Sequence, residues 1–312
     1  MRSAVVDDLR TIRDWLRYAI SRFNAAGLVY GHGTERALDE AAFLILAALK
    51  LPVDELEPWL EARLTRDERL RLSELIDARV TTRKPAPYLV GEAWIKDFRF
   101  SIDERAIVPR SYLGELMLNG LEPIIAATAE VGHVLDLCTG AAPLAIIAAH
   151  VFPGAEVDAV ELSPAAVEVA RRNVADYALE DRVHLLEGDL FAPVGRRRYD
   201  LILANPPYVT DAAVAAFPPE FAAEPKLAHA GGTDGLDLVR RIIDGAGRHL
   251  TKGGHLIVEI GLARPTLEMA YPGLPFLWLD TETSEGEVFH LEAAALAKGK
   301  RPERAHRSGG SA

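Results

Sequence analysis

The four residues Asn205-Pro206-Pro207-Tyr208 carry the strongest chemical signal in the chain. Two adjacent prolines fix the backbone and remove two N–H donors, leaving carbonyls free to accept. Asn205 adds a side-chain carbonyl, and Tyr208 adds a flat aromatic face. Such a set grips a planar group bearing NH2: two acceptors hold its hydrogens while the ring stacks on its plane. An amide or aniline-like nitrogen is a poor nucleophile because its lone pair is delocalised. Holding both hydrogens on fixed acceptors aims that lone pair and stabilises positive charge developing on nitrogen during an in-line displacement. Asn205, Pro206 and Tyr208 are thus the catalytic candidates, with Pro207 completing the grip. No titrating base is required. His133, His150, His184 and His229 are scattered, with no metal-ligand spacing between them, and no metal is expected. These residues alone do not separate a carboxamide from an adenine amino group.

A second set suits a nucleoside. The run Asp136-Leu137-Cys138-Thr139-Gly140-Ala141-Ala142-Pro143 follows a strand-like segment, and small residues let a backbone approach a ligand closely. Pro143 fits the first turn of a following helix, where a missing N–H costs nothing. Glu161, just before the helix start Ser163-Pro164, can accept both hydroxyls of a ribose. Asp189, in Gly188-Asp189-Leu190, can accept from an adenine amino group. Each is a weak signal singly. Their occurrence at the ends of three successive strands makes them one candidate cofactor site.

To bring these residues together the chain must place several strand ends at one edge. Strand-like runs at Val134 to Leu137, Glu156 to Val160, Val183 to Glu187, Leu201 to Ala204 and His255 to Ile260 alternate with helical ones. The helices fall near Leu144 to His150, Pro164 to Tyr177 and Leu236 to Leu250. Alternation of this kind predicts a parallel sheet with helices on both faces. Phe276 to Leu279 and Val288 to Leu291, joined by a short polar turn, form an antiparallel end. Before all this, Leu9, Ile12, Leu16, Ala19, Ile20 and Phe23 recur at helical spacing. A second helix runs from Thr34 to Leu49, closed by Pro52. Thr65 with Glu68 is a capping-box pattern that opens a third, and Pro85 and Pro87 stop helix formation. Trp94, Phe98 and Phe100 alternate about Lys96-Asp97 as a short hairpin.

Composition agrees with a soluble, folded chain. At ~150 residues per domain, 312 residues suggest about two domains. Hydrophobic residues make up 49% and charged residues 26%, too apolar for disorder. Lys plus Arg number 35 against 46 Asp plus Glu, and the net charge of −11 argues against broad affinity for nucleic acid or anionic membrane. The one cysteine, Cys138, excludes an internal disulfide and suits a reducing compartment. Asp7 and Asp8 and the lack of an apolar run argue against a secretory signal. Runs such as Ala41 to Leu49 are far short of the ~20 residues of a membrane helix. A cytoplasmic location is expected. The stretch from Lys298 to Ala312, with Lys298, Lys300, Arg301, Arg304 and Arg307, reads as a basic, disordered tail.

At these residues the sequence resembles the protein-glutamine N(5)-methyltransferases, and within them most closely the ribosomal protein L-three branch. The resemblance covers roughly Pro87 to Glu292. Three segments carry it: Phe100-Ser101-Ile102-Asp103-Glu104-Arg105 running into Val108-Pro109-Arg110-Ser111 with Gly114-Glu115-Leu116; Asp136-Leu137-Cys138-Thr139-Gly140; and Gly232-Thr233-Asp234-Gly235-Leu236. It implies an α/β fold of the class I S-adenosylmethionine-dependent methyltransferases, Rossmann-like, with a seven-stranded sheet ending in an antiparallel hairpin and an N-terminal α-helical domain. It implies S-adenosylmethionine as cofactor, held by Cys138, Thr139, Gly140, Ala141, Ala142, Glu161, Leu190 and Asn205, to which the reading of the strand ends adds Asp136 and Asp189. The substrate amide would lie on Asn205, Pro206, Pro207, Tyr208 and Arg110. The expected organisation is a helical substrate-recognition domain over 1–87, a hairpin linker over 88–111, a catalytic domain over 112–297 and a tail over 298–312.

The implied reaction is methylation of a glutamine amide in a basic ribosomal protein. Three alternatives stay open on the sequence: a release factor as substrate, an adenine amino group, or a non-catalytic ribosome-assembly factor. One departure stands out. The family loop continues Gly-Ser-Gly, whereas this chain has Gly140-Ala141-Ala142. A methyl at 142 is expected to crowd the cofactor, and at positive φ it would cost about 1 kcal/mol or more.

Overall fold

The computed structural model describes residues 2–121, 124–125, 127–281 and 284–298. The expected tail beyond residue 298 lies outside them. The chain opens with helices α1 (Arg2–Asp8), α2 (Ile12–Ala25), α3 (Ala37–Leu49), α4 (Arg66–Thr82) and α5 (Ala86–Val90). Thr11 with Asp14 and Thr65 with Glu68 form reciprocal capping boxes that start α2 and α4. Lys50, in the left-handed region, ends α3 two residues before Pro52. The apolar stripe of α2 (Trp15, Ala19, Phe23) packs with Leu44 and Ile45 of α3 and Leu72 and Ile76 of α4, all fully buried. Burying side chains of this size stabilises by roughly 1.5–3 kcal/mol each. Two helices were not legible in the pattern. The first is α1. The other is α5, which forms where Pro85 and Pro87 were expected to forbid a helix, because Pro85 is its N-cap and Pro87 sits in its first turn.

The hairpin follows as β1 (Glu92–Ile95) and β2 (Phe98–Ser101), a separate antiparallel pair. Then come α6 (Tyr112–Leu118), β3 (His133–Leu137), α7 (Pro143–Val151), β4 (Glu156–Glu161), α8 (Pro164–Asp176), β5 (Val183–Glu187) and β6 (Tyr199–Ala204). The chain closes through α9 (Asp211–Ala215), α10 (Asp237–His249), β7 (Leu250–Glu259), α11 (Arg264–Ala270), β8 (Leu277–Leu279), β9 (Val288–Glu292) and α12 (Ala293–Lys298). Between α9 and α10 lie only two short 3-10 turns, Pro219–Ala223 and Lys226–Ala228.

The sheet has seven strands in the order β5-β4-β3-β6-β7-β9-β8. Its first five are parallel; β9 runs antiparallel to both β7 and β8. Side chains alternate between its faces, as a strand's period of two requires. Val134, Leu201 and Leu203 join a core with α6, α7 and α8, while Leu135, Leu137, Ile202 and Ala204 join one with α10 and α11. The expected α/β fold with a parallel sheet and antiparallel end is the one observed. Because β3 pairs with β4 on one side and β6 on the other, the strand order reverses there, and a crevice opens at the carboxyl ends of these strands.

Candidate active site

A cavity of about 200 Å³ fills that crevice. One half is walled by the loop after β3 and the ends of β4 and β5. Within the loop, Cys138, Gly140 and Ala142 all take left-handed conformations, at φ of 60°, 58° and 65°. Alternate left-handed residues fold the loop tightly and bring Cys138, Thr139, Gly140 and Ala141 to the cavity wall. For a non-glycine residue this conformation costs roughly 1–2 kcal/mol, and contacts behind the loop hold it. Asp136 is fully buried and accepts from the Thr139 hydroxyl at 2.5 Å. Burial pushes its carboxyl up to about 7.

Two sequence expectations need correcting here. Asp136 stands behind the loop rather than at the cavity wall. Ala142 carries the expected positive φ, but its methyl is fully buried in the core with Ala145 and Ile146, so it does not crowd the cavity.

Glu161 bridges two strand ends. Its Oε2 accepts from the Gly140 N–H and its Oε1 from the Ser163 N–H, both at 2.8 Å. An ionised carboxylate has about four acceptor sites, so both oxygens retain capacity for ligand hydroxyls. Asp189 also lines the cavity; its Oδ2 is engaged by Arg241 at 2.7 Å, leaving Oδ1 for a ligand. Leu190 (φ 48°), Leu162 and Ala166 supply apolar wall.

The other half is Asn205 to Tyr208, all four at the wall. The Asn205 Nδ2 donates to the Arg110 carbonyl at 3.4 Å, which leaves Oδ1 as the acceptor offered to the cavity. The Tyr208 hydroxyl donates to Glu259 Oε1 at 3.2 Å. Its ring lies so close to Gly261 (φ +53°) that a Cβ there would meet Cε2 at 2.7 Å. A Cβ on Gly235 (φ +79°) would meet the Tyr208 carbonyl at 2.3 Å. Glycine at these two positions is what lets neighbouring segments close on Tyr208.

Arg110 is not a free cation. Its guanidinium makes a bidentate pair with Glu224 at 2.6 and 2.9 Å. The Glu224 side chain is fully buried and also accepts from the Val108 N–H at 3.0 Å. His229 Nε2 lies 3.1 Å and His32 Nε2 3.5 Å from its Oε2. Burial would raise this carboxyl, but the His229 and His32 rings beside it and the bidentate Arg110 pair hold it well below the usual range. Sequence reasoning missed Glu224, Glu259 and Gly261, and it set His229 apart from the site. A carboxylate ending the apolar run before Ile260 is the same signal that found Glu161, and it was available for Glu259. For Glu224 there was no signal.

A family model described as Methyltransferase small domain matches residues 115–219, which span the cofactor loop and Asn205 to Tyr208. Over 295 residues the chain is 53% identical to the ribosomal protein uL3 glutamine methyltransferase of Bradyrhizobium diazoefficiens, covering 93% of this chain and 92% of that one. It is 50% identical to the uL3 glutamine methyltransferase of Bordetella pertussis, covering 93% and 97%, and 48% identical to that of Neisseria gonorrhoeae, covering 95% and 99%. The chain belongs to the ribosomal protein uL3 glutamine methyltransferase family.

As a member of the uL3 glutamine methyltransferases it is an enzyme, and its methyl donor is S-adenosylmethionine. The cavity's first half fits that donor. Glu161 offers carboxylate oxygens at ribose reach of the loop backbone, Asp189 offers Oδ1, and Leu162, Ala166 and Leu190 offer apolar surface. The second half begins at Asn205, where β6 ends beside β3. The two halves therefore meet along one strand pair.

Proposed function

We propose that this enzyme methylates the side-chain amide nitrogen of a glutamine in ribosomal protein uL3. The observation that carries the reading is the fixed amide of Asn205, whose Nδ2 is spent on the Arg110 carbonyl so that Oδ1 meets the substrate. When bound, S-adenosylmethionine supplies an electrophilic sulfonium methyl. The chain's own residues do the rest. Asn205 Oδ1 and the carbonyl of Pro206 accept the two amide hydrogens, and Pro207 stiffens the turn. The Tyr208 ring stacks on the amide plane. With both hydrogens held, the nitrogen lone pair faces the donor half of the cavity, and the acceptors stabilise the charge that develops as the N–C bond forms. The surplus proton then leaves without a dedicated base, since an N-methylated protonated amide is strongly acidic. Glu161, Asp189, Leu190 and the loop from Cys138 to Ala141 hold the donor.

Residues 1–87 serve as the substrate-recognition domain, with 88–111 as linker and 112–297 as the catalytic domain. Contacts between the first and last support this. Val29 N–H donates to Glu220 at 3.1 Å, Arg83 pairs with Glu220 at 2.7 Å, and His32 approaches Glu224. The segment they grip continues into Leu227, Ala228 and His229, which line the cavity. The substrate is a basic protein rather than a polyanion, matching a chain of charge −11. Among the described residues no helix is long and apolar enough to cross a membrane, and cytoplasmic residence follows from the ribosomal substrate. The test is purified enzyme offered uL3 and release factor with labelled donor. Label on a uL3 glutamine is expected; label on release factor alone would overturn the substrate while keeping the chemistry.

A further inference from the structure

Among the buried ionisable groups that this chemistry leaves unused, Glu259 bonds Tyr208 at the wall of the substrate half. It ends β7 with 2% of its surface exposed. Three donors converge on it. The Ser111 hydroxyl at 2.6 Å and the Tyr112 N–H at 2.9 Å reach Oε2, and the Tyr208 hydroxyl at 3.2 Å reaches Oε1. The Ser111 oxygen also accepts from the Leu113 N–H at 3.2 Å. All three bonds are ones an ionised carboxylate accepts. Burial opposes that state and pushes the group up to about 7. The strand has no need of such a group, since Leu256, Ile257 and Val258 before it are plain core residues.

What the carboxylate supplies is an anchor for the far end of the Tyr208 side chain. Gly261 lies against the ring, and the hydroxyl bond holds its far end. The same carboxylate caps the start of α6, directly after the 105–111 segment that walls the cavity. We propose that Glu259 is a positioning residue: it ties the Tyr208 hydroxyl to the N-terminus of α6 and so fixes the plane on which the substrate amide stacks. This rests on the reading that Asn205 to Tyr208 bind that amide. The other charges facing the cluster are Arg110 and Glu287, which act on Tyr208, and Glu35 and Glu115, which act with Glu287 on Tyr112. Protonating Glu259 removes the charge that strengthens all three bonds, so acid loosens the tie to the Tyr208 hydroxyl.

The test compares wild type, Tyr208→Phe and Glu259→Gln as full chains, with kcat and KM for uL3 followed from about pH 6 to about pH 9 and donor Kd by calorimetry. Wild-type kcat is expected to fall on the acid side of about 7. Both variants should lose that acid limb and show kcat lowered roughly 10-fold at alkaline pH, a misplacement effect, with KM and donor Kd little changed. Tyr208→Phe keeps the ring and removes one hydroxyl, so it reads the link even if Glu259→Gln folds poorly. A Tyr208→Phe enzyme with wild-type kcat and a wild-type acid limb would overturn the proposal. So would an acid limb surviving in Glu259→Gln, which would assign it to another group such as Asp136. Wild-type enzyme that binds donor yet leaves uL3 unlabelled would overturn the substrate reading and this inference with it, a failure distinct from variants that match wild type.

Discussion

The proposed donor half of the cavity leans mostly on short-range bonds, and the proposed substrate half on long-range ones. In the donor half, Thr139 is held by Asp136 and Glu161 by Ser163 within three residues, with Gly140 bonding Glu161 from 21 residues back. Asp189 is the exception, tied to Arg241, 52 positions on. In the substrate half, the anchors come from far away. Tyr208 is tied to Glu259, 51 positions on, and Arg110, whose carbonyl orients Asn205, is tied to Glu224, 114 positions on. Local bonds let a loop form wherever a strand meets a helix. Distant ones make the substrate grip depend on the whole molecule having closed, including the N-terminal bundle through His32. The loop after β3 therefore depends less on the N-terminal bundle than the grip does.

The sharpest way to break this asymmetry is at Glu224. Replacing it with Gln leaves Arg110 a largely buried cation without its counter-charge, and removing one partner of a buried pair costs about 3–5 kcal/mol. Chemical denaturation should show a loss on that scale. The expected signature is uneven: protein-substrate turnover collapses, while donor affinity measured below the denaturation midpoint is retained. Equal loss of both would mean that the halves are not separable. Asn205→Ala comes next. It removes one oriented acceptor and should cut kcat by roughly 100-fold or more, with donor Kd changed much less, as single-turnover assays and calorimetry would report.

The two buried carboxylates also predict opposite pH slopes. Asp136 is raised from an ordinary 3.8 to about 7 by burial. Its contribution to stability is fully present below its unfolded value and is lost as pH rises through about 7. Glu224 is lowered, so its contribution is present above its unfolded value of 4.5 and is lost only as pH falls toward its folded one. Asp136→Asn should therefore gain on wild type as pH climbs from about 4 to about 8, in thermal melts at fixed ionic strength. The Glu224→Gln deficit should already be complete above about 4.5 and stay level over that range, shrinking only at lower pH. Parallel slopes for the two variants would refute the contrast.

The same divide explains what could be read from the chain. Thr65 with Glu68, the strand alternation and Glu161 beside Ser163 were legible because their physics acts over a few residues. The helix Ala86–Val90 was not, because a proline reads as a breaker until its place in the first turn is known. Asn205 to Tyr208 was legible as a motif, but its scaffold was not. Nothing near Glu224 in sequence signals that Val108, Arg110 and His32 will surround it. The Gly232-to-Gly235 segment carried family resemblance without a reason, and the reason is spatial: Gly235 lies against the Tyr208 carbonyl.

The smallest expected effect falls at Ala142, where sequence and structure part. If its methyl crowded the donor, Ala142→Gly would tighten binding. The methyl instead lies in the core with Ala145 and Ile146, away from the wall. Glycine would relieve the left-handed strain, worth roughly 1–2 kcal/mol. Against that, it gives up about 0.8 kcal/mol of buried methyl and adds about 0.5–1 kcal/mol of backbone freedom to the unfolded chain. These terms nearly cancel, so the melting temperature should move little. Donor Kd should stay within about twofold, because the φ of 65° that shapes the loop is one glycine also adopts. The control is Gly261→Ala, which adds a methyl 2.7 Å from the Tyr208 ring. It should leave donor Kd alone and lower turnover. A donor Kd that tightens markedly in Ala142→Gly would put the methyl back in the cavity and dissolve the claim that the donor loop is shaped from behind.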